Sequence, residues 1–247
     1  MPVSFLVAGV QKGGTSALFE YLRAVPALQL PPVKEAHFFD DEGRIDWARP
    51  DYGAYHDLFV EDGRLWGEAT PIYLYWPNAL ERIARYNPAM KLILIFRDPV
   101  ERAWSHWKME YARRAEREPF GWCIREGRAR MDHATPYPGF HRVWSYVERG
   151  LYGRQLARAL ALFPPTQLLL LRSDDLRADP DTVIAHICRF LGVPLPQGPL
   201  EPRLVRTARA MPYPSILTMA DRALLDGVFA ADLARFRELG GPSVKGC

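Results

Sequence analysis

Residues 5–22 read FLVAGVQKGGTSALFEYL, and this stretch narrows the possible folds more than any other. The apolar run from Ser4 to Val10 is short and rich in Val and Phe, the pattern of a strand covered on both faces. Two glycines follow, and a helical stripe of Leu18, Tyr21, Leu22 and Val25 begins at once, with Pro26 just beyond it. A buried strand that turns directly into a helix needs parallel neighbours and crossover helices to cover it. The expected class is therefore α/β, with this unit as a P-loop-like strand–loop–helix at the N-terminus.

The rest of the chain repeats the alternation. MKLILIFRDP is apolar throughout and reads as the central strand, feeding a helix from Val100 to about Arg113. RLWGEATPIYLYW reads as a strand running into a turn, with a helix from Asn78 to Tyr86 after it. VKEAHFFD reads as a short strand or strand end. TQLLLLRSDDL supplies a further strand, Pro180 to Leu191 a helix, and Met219 to Leu239 an amphipathic helix with Leu225, Phe229 and Phe236 facing the core. Residues 114–150, mixed in charge and broken by Pro119, Pro136, Pro138 and Gly139, read as an excursion over the active face of a single domain. The prediction is one central parallel sheet with helices on both faces, and ligands at the carboxyl ends of its strands.

Composition trims the functional classes. With 247 residues and 48% hydrophobic side chains the chain can bury a large core. A net charge of +3 gives no nucleic-acid footprint. Cys123, Cys188 and Cys247 are scattered, with no CxxC pair, which speaks against a disulfide framework and a structural zinc site. The first apolar stretch has no basic leader, and no run is long enough to cross a bilayer, so a cytoplasmic protein is expected. Oligomeric state is not legible.

The loop has the Gly-x4-Gly frame of a nucleotide-binding turn, Gly9 to Gly14, yet Thr15 stands where such loops keep their lysine, and Lys12 lies inside the loop. In triphosphate loops the terminal Lys-Ser/Thr pair serves the β/γ phosphates and magnesium. Its replacement by Thr15-Ser16 fits a metal-free site for a terminal 5′-phosphate better than a triphosphate-plus-metal site. A helix starting at Gly13 or Gly14 offers unpaired N–H groups and its positive dipole end to an anion. At the end of the central strand, Arg97 and, two turns into the next helix, Ser105 suit a second phosphate. The same two residues also suit a bland reading, as a strand cap and a helix-interior serine.

Taken together, GVQKGGTSALFEYL, KEAHFFD, LILIFRDPVERAWSHW and LLLLRSDDLRADP resemble the PAPS-dependent sulfotransferase family (PAPS is 3′-phosphoadenosine 5′-phosphosulfate), closest to the heparan-sulfate branch and its bacterial relatives. The resemblance covers most of residues 3 to 193. It implies that Lys12, with the amides of Gly13, Gly14, Thr15 and Ser16, binds the 5′-phosphate, and that Lys12 also neutralises charge on the leaving oxygen. Arg97 and Ser105 would bind the 3′-phosphate. Glu35 would be the base that takes the proton of a hydroxylated acceptor, and His37, on the same side if the stretch is extended, the alternative base. The acceptor is left open among a saccharide, a peptide tyrosine and a small metabolite. In GEATP, Ala69 follows Glu68 where the heparan branch commonly has lysine. Arg203, Arg206 and Arg209 fall where the family has a basic loop over the nucleotide. Tyr73, Tyr75, Trp76, Trp104 and Trp107 are candidate acceptor-cleft residues.

Two rival readings stand beside this one. A small-molecule kinase using ATP and magnesium would place Asp98 on a metal-bound water, and a nucleotide-binding module would bind without catalysis.

Overall fold

The computed structural model describes residues 2–133, 136–198 and 212–244. The chain forms two compact units, Met1–Phe96 with Ala159–Val205, and Arg97–Arg158 with Arg206–Cys247.

The first unit holds a parallel five-stranded sheet in the order β2-β3-β1-β4-β5. Its strands are β1 (Phe5–Gly9), β2 (Leu28–Gln29), β3 (Leu65–Glu68), β4 (Lys91–Phe96) and β5 (Leu168–Arg172). The helices in chain order are α1 (Thr15–Arg23), α2 (Gly53–His56), α3 (Ala79–Tyr86), α4 (Pro99–Ala112), α5 (Phe120–Cys123), α6 (Tyr152–Leu162), α7 (Ser173–Ala178), α8 (Pro180–Leu191) and α9 (Met219–Glu238).

The apolar runs become the middle of the sheet because both pleats can be buried there. On one pleat Phe5, Val7, Ile93, Ile95, Leu169 and Leu171 share a core with Leu18 and Leu22 of α1 and Ile184 and Ile187 of α8. The opposite pleat, Leu6, Ala8, Leu92 and Leu94, has no exposure at all. Each such side chain contributes roughly 1.5–3 kcal/mol on burial, which favours the inner places for β1 and β4, while β5, LLLLR, lies at the edge with three of its leucines buried. After β1 the chain moves to one side for β2 and β3, then crosses back through α3 to β4 on the other side. Right-handed crossovers then put α1 and α3 on opposite faces. The order reverses beside β1, which makes the β1–β4 carboxyl ends the crevice of the sheet.

In the second unit α9 starts with a capping box, Asp221 N–H donating to Thr218 Oγ1 at 3.1 Å and Thr218 N–H to Asp221 Oδ2 at 3.2 Å. Its Leu225, Phe229 and Phe236 are fully buried, as their spacing predicts. Residues 114–150 belong to this unit and carry a buried network. Glu116 accepts both Arg130 nitrogens, at 3.2 and 2.8 Å, and the Tyr146 hydroxyl at 3.0 Å.

One expected element is absent, β2, α2, α5, α6 and α7 were not foreseen, and the strand expected over TQLLLLRSDDL ends at Arg172, where α7 begins. KEAHFFD is not a strand: Glu35 and His37 sit at φ 68° and 52°, in the left-handed region that cannot continue a ladder. The two-residue edge strand β2 is too short to leave a pattern. The helix α6 did leave one, in YGRQLARALAL, between the mixed stretch and β5.

Candidate functional site

In the first unit the loop leaves β1 at the crevice and packs against the end of β4. Val10 N–H donates to Ile95 O at 3.1 Å, and Gly13 N–H to Val10 O at 2.9 Å. A Cβ on Gly13 would stand 2.3 Å from Ile95 O, so no other residue fits that position. Gly14 caps α1 at φ 106°, and no side chain closes the cap. The first-turn amides of α1 therefore lack a side-chain acceptor, and with the helix dipole they suit an anion. Thr15 is buried, Ser16 exposed and Lys12 half-buried. Lys12 itself lies at φ 69°. A lysine held in the left-handed region stores strain of order 1–3 kcal/mol, a mark of a functional turn. Ser173, missed in the sequence, starts α7 at the carboxyl end of β5, its Oγ 4.0 Å from where a Gly14 Cβ would be.

The segment after β2 holds Glu35 and His37, and it is tied to the chain that follows β3. Glu35 N–H donates to Ala69 O at 3.1 Å. The two side chains meet, though not by the extended geometry their spacing suggested. His37 Nε2 lies 3.6 Å from Glu35 Oε2, and its Nδ1 faces the fully buried Asp40 carboxylate at 3.0 and 3.1 Å. The Lys34 ammonium pairs with the other Glu35 oxygen. Burial would raise the Glu35 carboxyl, but the His37 imidazole and the Lys34 ammonium outweigh it and hold the group at about 2. Asp40 first, and then Glu35, push His37 up to about 9 against burial. At neutral pH, Glu35 is thus an ionised acceptor and His37 carries its proton. Lys34 and Asp40 were not singled out in the sequence, although an aspartate three residues after the histidine is a usable signal.

In the second unit the chain continues from β4 into α4. Asp98 accepts from Glu101 N–H at 2.8 Å as the N-cap, with Pro99 at the first helical position. Burial raises its carboxyl, and Arg222 stands 3.7 Å away. The Arg97 guanidinium lies 3.7 Å from Glu101, and its backbone carbonyl accepts the Tyr152 hydroxyl at 2.9 Å. Arg97, Glu101 and Ser105 follow one another at helical spacing along one stripe, each half-buried.

Of the aromatics proposed for an acceptor cleft, Tyr73, Tyr75, Trp76 and Trp107 are buried, and Trp104 alone retains exposure. The Tyr73 hydroxyl accepts Phe38 N–H at 3.0 Å, and Trp76 Nε1–H donates to Glu42 at 2.9 Å. Among the described residues no helix is long and apolar enough to cross a membrane, and no cluster of His, Cys, Asp and Glu suits a metal ion. Arg203, Arg206 and Arg209 lie outside the described residues.

A sulfotransferase domain model matches residues 2–209. The chain belongs to the sulfotransferase family. It is 32% identical over 193 residues to human heparan sulfate glucosamine 3-O-sulfotransferase 3B1, covering 76% of this chain and 45% of that protein. To human heparan sulfate glucosamine 3-O-sulfotransferase 6 it is 33% identical over 193 residues, covering 76% and 52%. The chain thus spans about half the length of the curated relatives it matches. Among solved structures, a sulfotransferase from Alicyclobacillus acidocaldarius superposes with a TM-score of 0.76 at 29% identity, over 98% of this chain and 97% of that one. The strand–loop–helix, the Glu35–His37 turn and the β4–α4 junction all fall within the sulfotransferase match.

Proposed function

We propose that this chain transfers a sulfuryl group from PAPS to an acceptor hydroxyl, with Glu35 as the base. The observation that supports the reading is the Glu35–His37–Asp40 chain, a carboxylate kept ionised at neutral pH, in the same unit as a glycine turn that opens a helix. The loop fits such a donor, because Gly13 leaves no space for a side chain and the start of α1 has no side-chain cap.

When bound, PAPS supplies a sulfuryl group activated by a phosphate leaving group. Lys12 and the amides of Gly13, Gly14, Thr15 and Ser16 hold the 5′-phosphate and neutralise the charge that grows on it. Arg97 and Ser105 hold the 3′-phosphate, well removed from the reacting atoms. Glu35 accepts the hydroxyl proton while His37, itself protonated, keeps the carboxylate oriented. A carboxylate at about 2 is a weak base. A loose, in-line displacement asks for positioning and charge neutralisation more than for base strength. His37 does not serve as the base, since at about 9 it is already protonated at neutral pH.

The names of the human relatives support a saccharide hydroxyl as the first acceptor to try, with Ala69 removing one cationic contact. Peptide tyrosine and small hydroxylated metabolites are the other arms. The kinase reading draws no support from Asp98, whose Oδ1 caps α4. The test is a screen of these acceptors with PAPS, reading release of 3′,5′-adenosine bisphosphate in the presence of EDTA. Turnover that survives EDTA supports the reading. Turnover only with ATP, and lost in EDTA, refutes it.

A further inference from the structure

The turn that carries Glu35 is held almost entirely by one short segment, residues 68–73. Glu35 N–H donates to Ala69 O at 3.1 Å, and His37 N–H to Thr70 Oγ1 at 3.4 Å. Phe38 and Phe39 N–H both donate to the Tyr73 hydroxyl, at 3.0 and 3.4 Å. Left-handed residues such as Glu35 and His37 persist only where their surroundings over-determine them. The link at His37 has a second layer: the Thr70 hydroxyl donates to Glu68 Oε2 at 2.8 Å. A carboxylate can only accept, so it takes the single Thr70 hydrogen and leaves the hydroxyl lone pairs to the His37 N–H.

Glu68 is an expensive residue to keep there. It has no solvent exposure, and burial pushes its carboxyl up to about 7, against the Thr70 and Tyr73 hydroxyls and the Ala36 N–H. Its Oε1 closes no hydrogen bond. If packing alone mattered, an apolar residue of similar volume would be the cheaper choice.

We infer that Glu68 is a positioning residue for sulfuryl transfer: acting through the Thr70 hydroxyl, it fixes the left-handed turn at His37 and so sets His37 against the Glu35 carboxylate. The inference rests on Glu35 being the base, but its test does not depend on turnover. The His37 imidazole, assigned with His37→Ala, is titrated by NMR in wild type, Thr70→Val, Thr70→Ser and Glu68→Leu, with no donor or acceptor present. Affinity for 3′,5′-adenosine bisphosphate serves as the check on folding. Wild type should titrate near 9. Thr70→Val, which changes no charge, should move His37 down by about one pH unit or more, toward the ordinary imidazole value. Thr70→Ser should keep the wild-type value, and Glu68→Leu, which cannot accept the Thr70 hydrogen, should follow Thr70→Val.

Wild-type titration in Thr70→Val would overturn the inference, as would equal shifts in the valine and serine variants. A merely structural contact leaves the folded-state titration unmoved. Should Glu68→Leu fail to fold, the Thr70 pair decides alone. Turnover retained by Glu35→Gln would remove the base and leave the titration result standing, which separates the two failures.

Discussion

The two regions proposed to hold phosphates are built in different ways. In the first unit the loop and the Glu35 turn are made of backbone: a glycine that tolerates no Cβ, and Lys12, Glu35 and His37 in the left-handed region. In the second unit Arg97 and Ser105 are half-exposed side chains along α4, and Arg97 already leans on Glu101 at 3.7 Å. A strained, hydrogen-bonded backbone holds its groups in one place before substrate arrives, which suits charge that develops only in the transition state. A solvated guanidinium reorganises around its ligand and contributes to ground state and transition state alike. On the proposed reading, the chemistry belongs to the first region and donor affinity to the second.

That division breaks most visibly at Lys12. Lys12→Ala is expected to lower kcat by about 10²-fold or more, the loss typical of an oxyanion donor, with the KM for PAPS little changed. Steady-state kinetics against PAPS checks it. A rise in KM alone would place Lys12 with the binding groups.

Arg97→Ala should do the reverse, raising the KM for PAPS by roughly 10–100-fold, as expected for a charged hydrogen bond of about 1.5–3 kcal/mol, while kcat holds. Adenosine 5′-phosphosulfate, which lacks the 3′-phosphate, gives the cross-check. Wild type should discriminate strongly against it, and Arg97→Ala should lose most of that preference. If the variant keeps the wild-type margin, Arg97 is a cap on β4.

The smallest effect is on stability. The folded His37 group sits near 9 against an ordinary 6.5. A raised value means its contribution is fully present below pH 6.5 and is lost as pH rises through 9. The thermal midpoint of wild type should therefore fall across that window more steeply than that of His37→Ala. Parallel curves would show that the Asp40–His37–Glu35 chain adds nothing to folding.

Much of this was legible in the sequence, because the signals were of the kind that periodicity and composition carry. MKLILIFRDP could only be a central strand, and β4 is one. GVQKGGTSALFEYL could only be a strand turning into a helix at a ligand end. Reading Glu35 and His37 as neighbours was correct for a reason the sequence hides. Spacing suggested a strand, whereas two left-handed residues, supported from residues 69–73, bring the side chains together. Such a turn is imposed by tertiary hydrogen bonds and leaves no local propensity to read. The aromatics Tyr73, Tyr75, Trp76 and Trp107 were open to both a core and a cleft reading, since aromatic rings beside strands serve the core as readily as a cleft, and all four are buried. Thr70 and Tyr73 drew no attention as supports, because a hydroxyl that holds a distant backbone looks like any other buried residue.

The most direct test of the account is single-turnover sulfuryl transfer from radiolabelled PAPS to the acceptor found by the screen, comparing wild type with Glu35→Gln and measuring affinity for 3′,5′-adenosine bisphosphate in the same preparations. The account predicts a loss of about 10²- to 10⁴-fold in the transfer rate, the range of a removed general base, at unchanged nucleotide affinity. Transfer by Glu35→Gln within a few-fold of wild type would contradict it, the more so if His37→Ala abolished transfer instead.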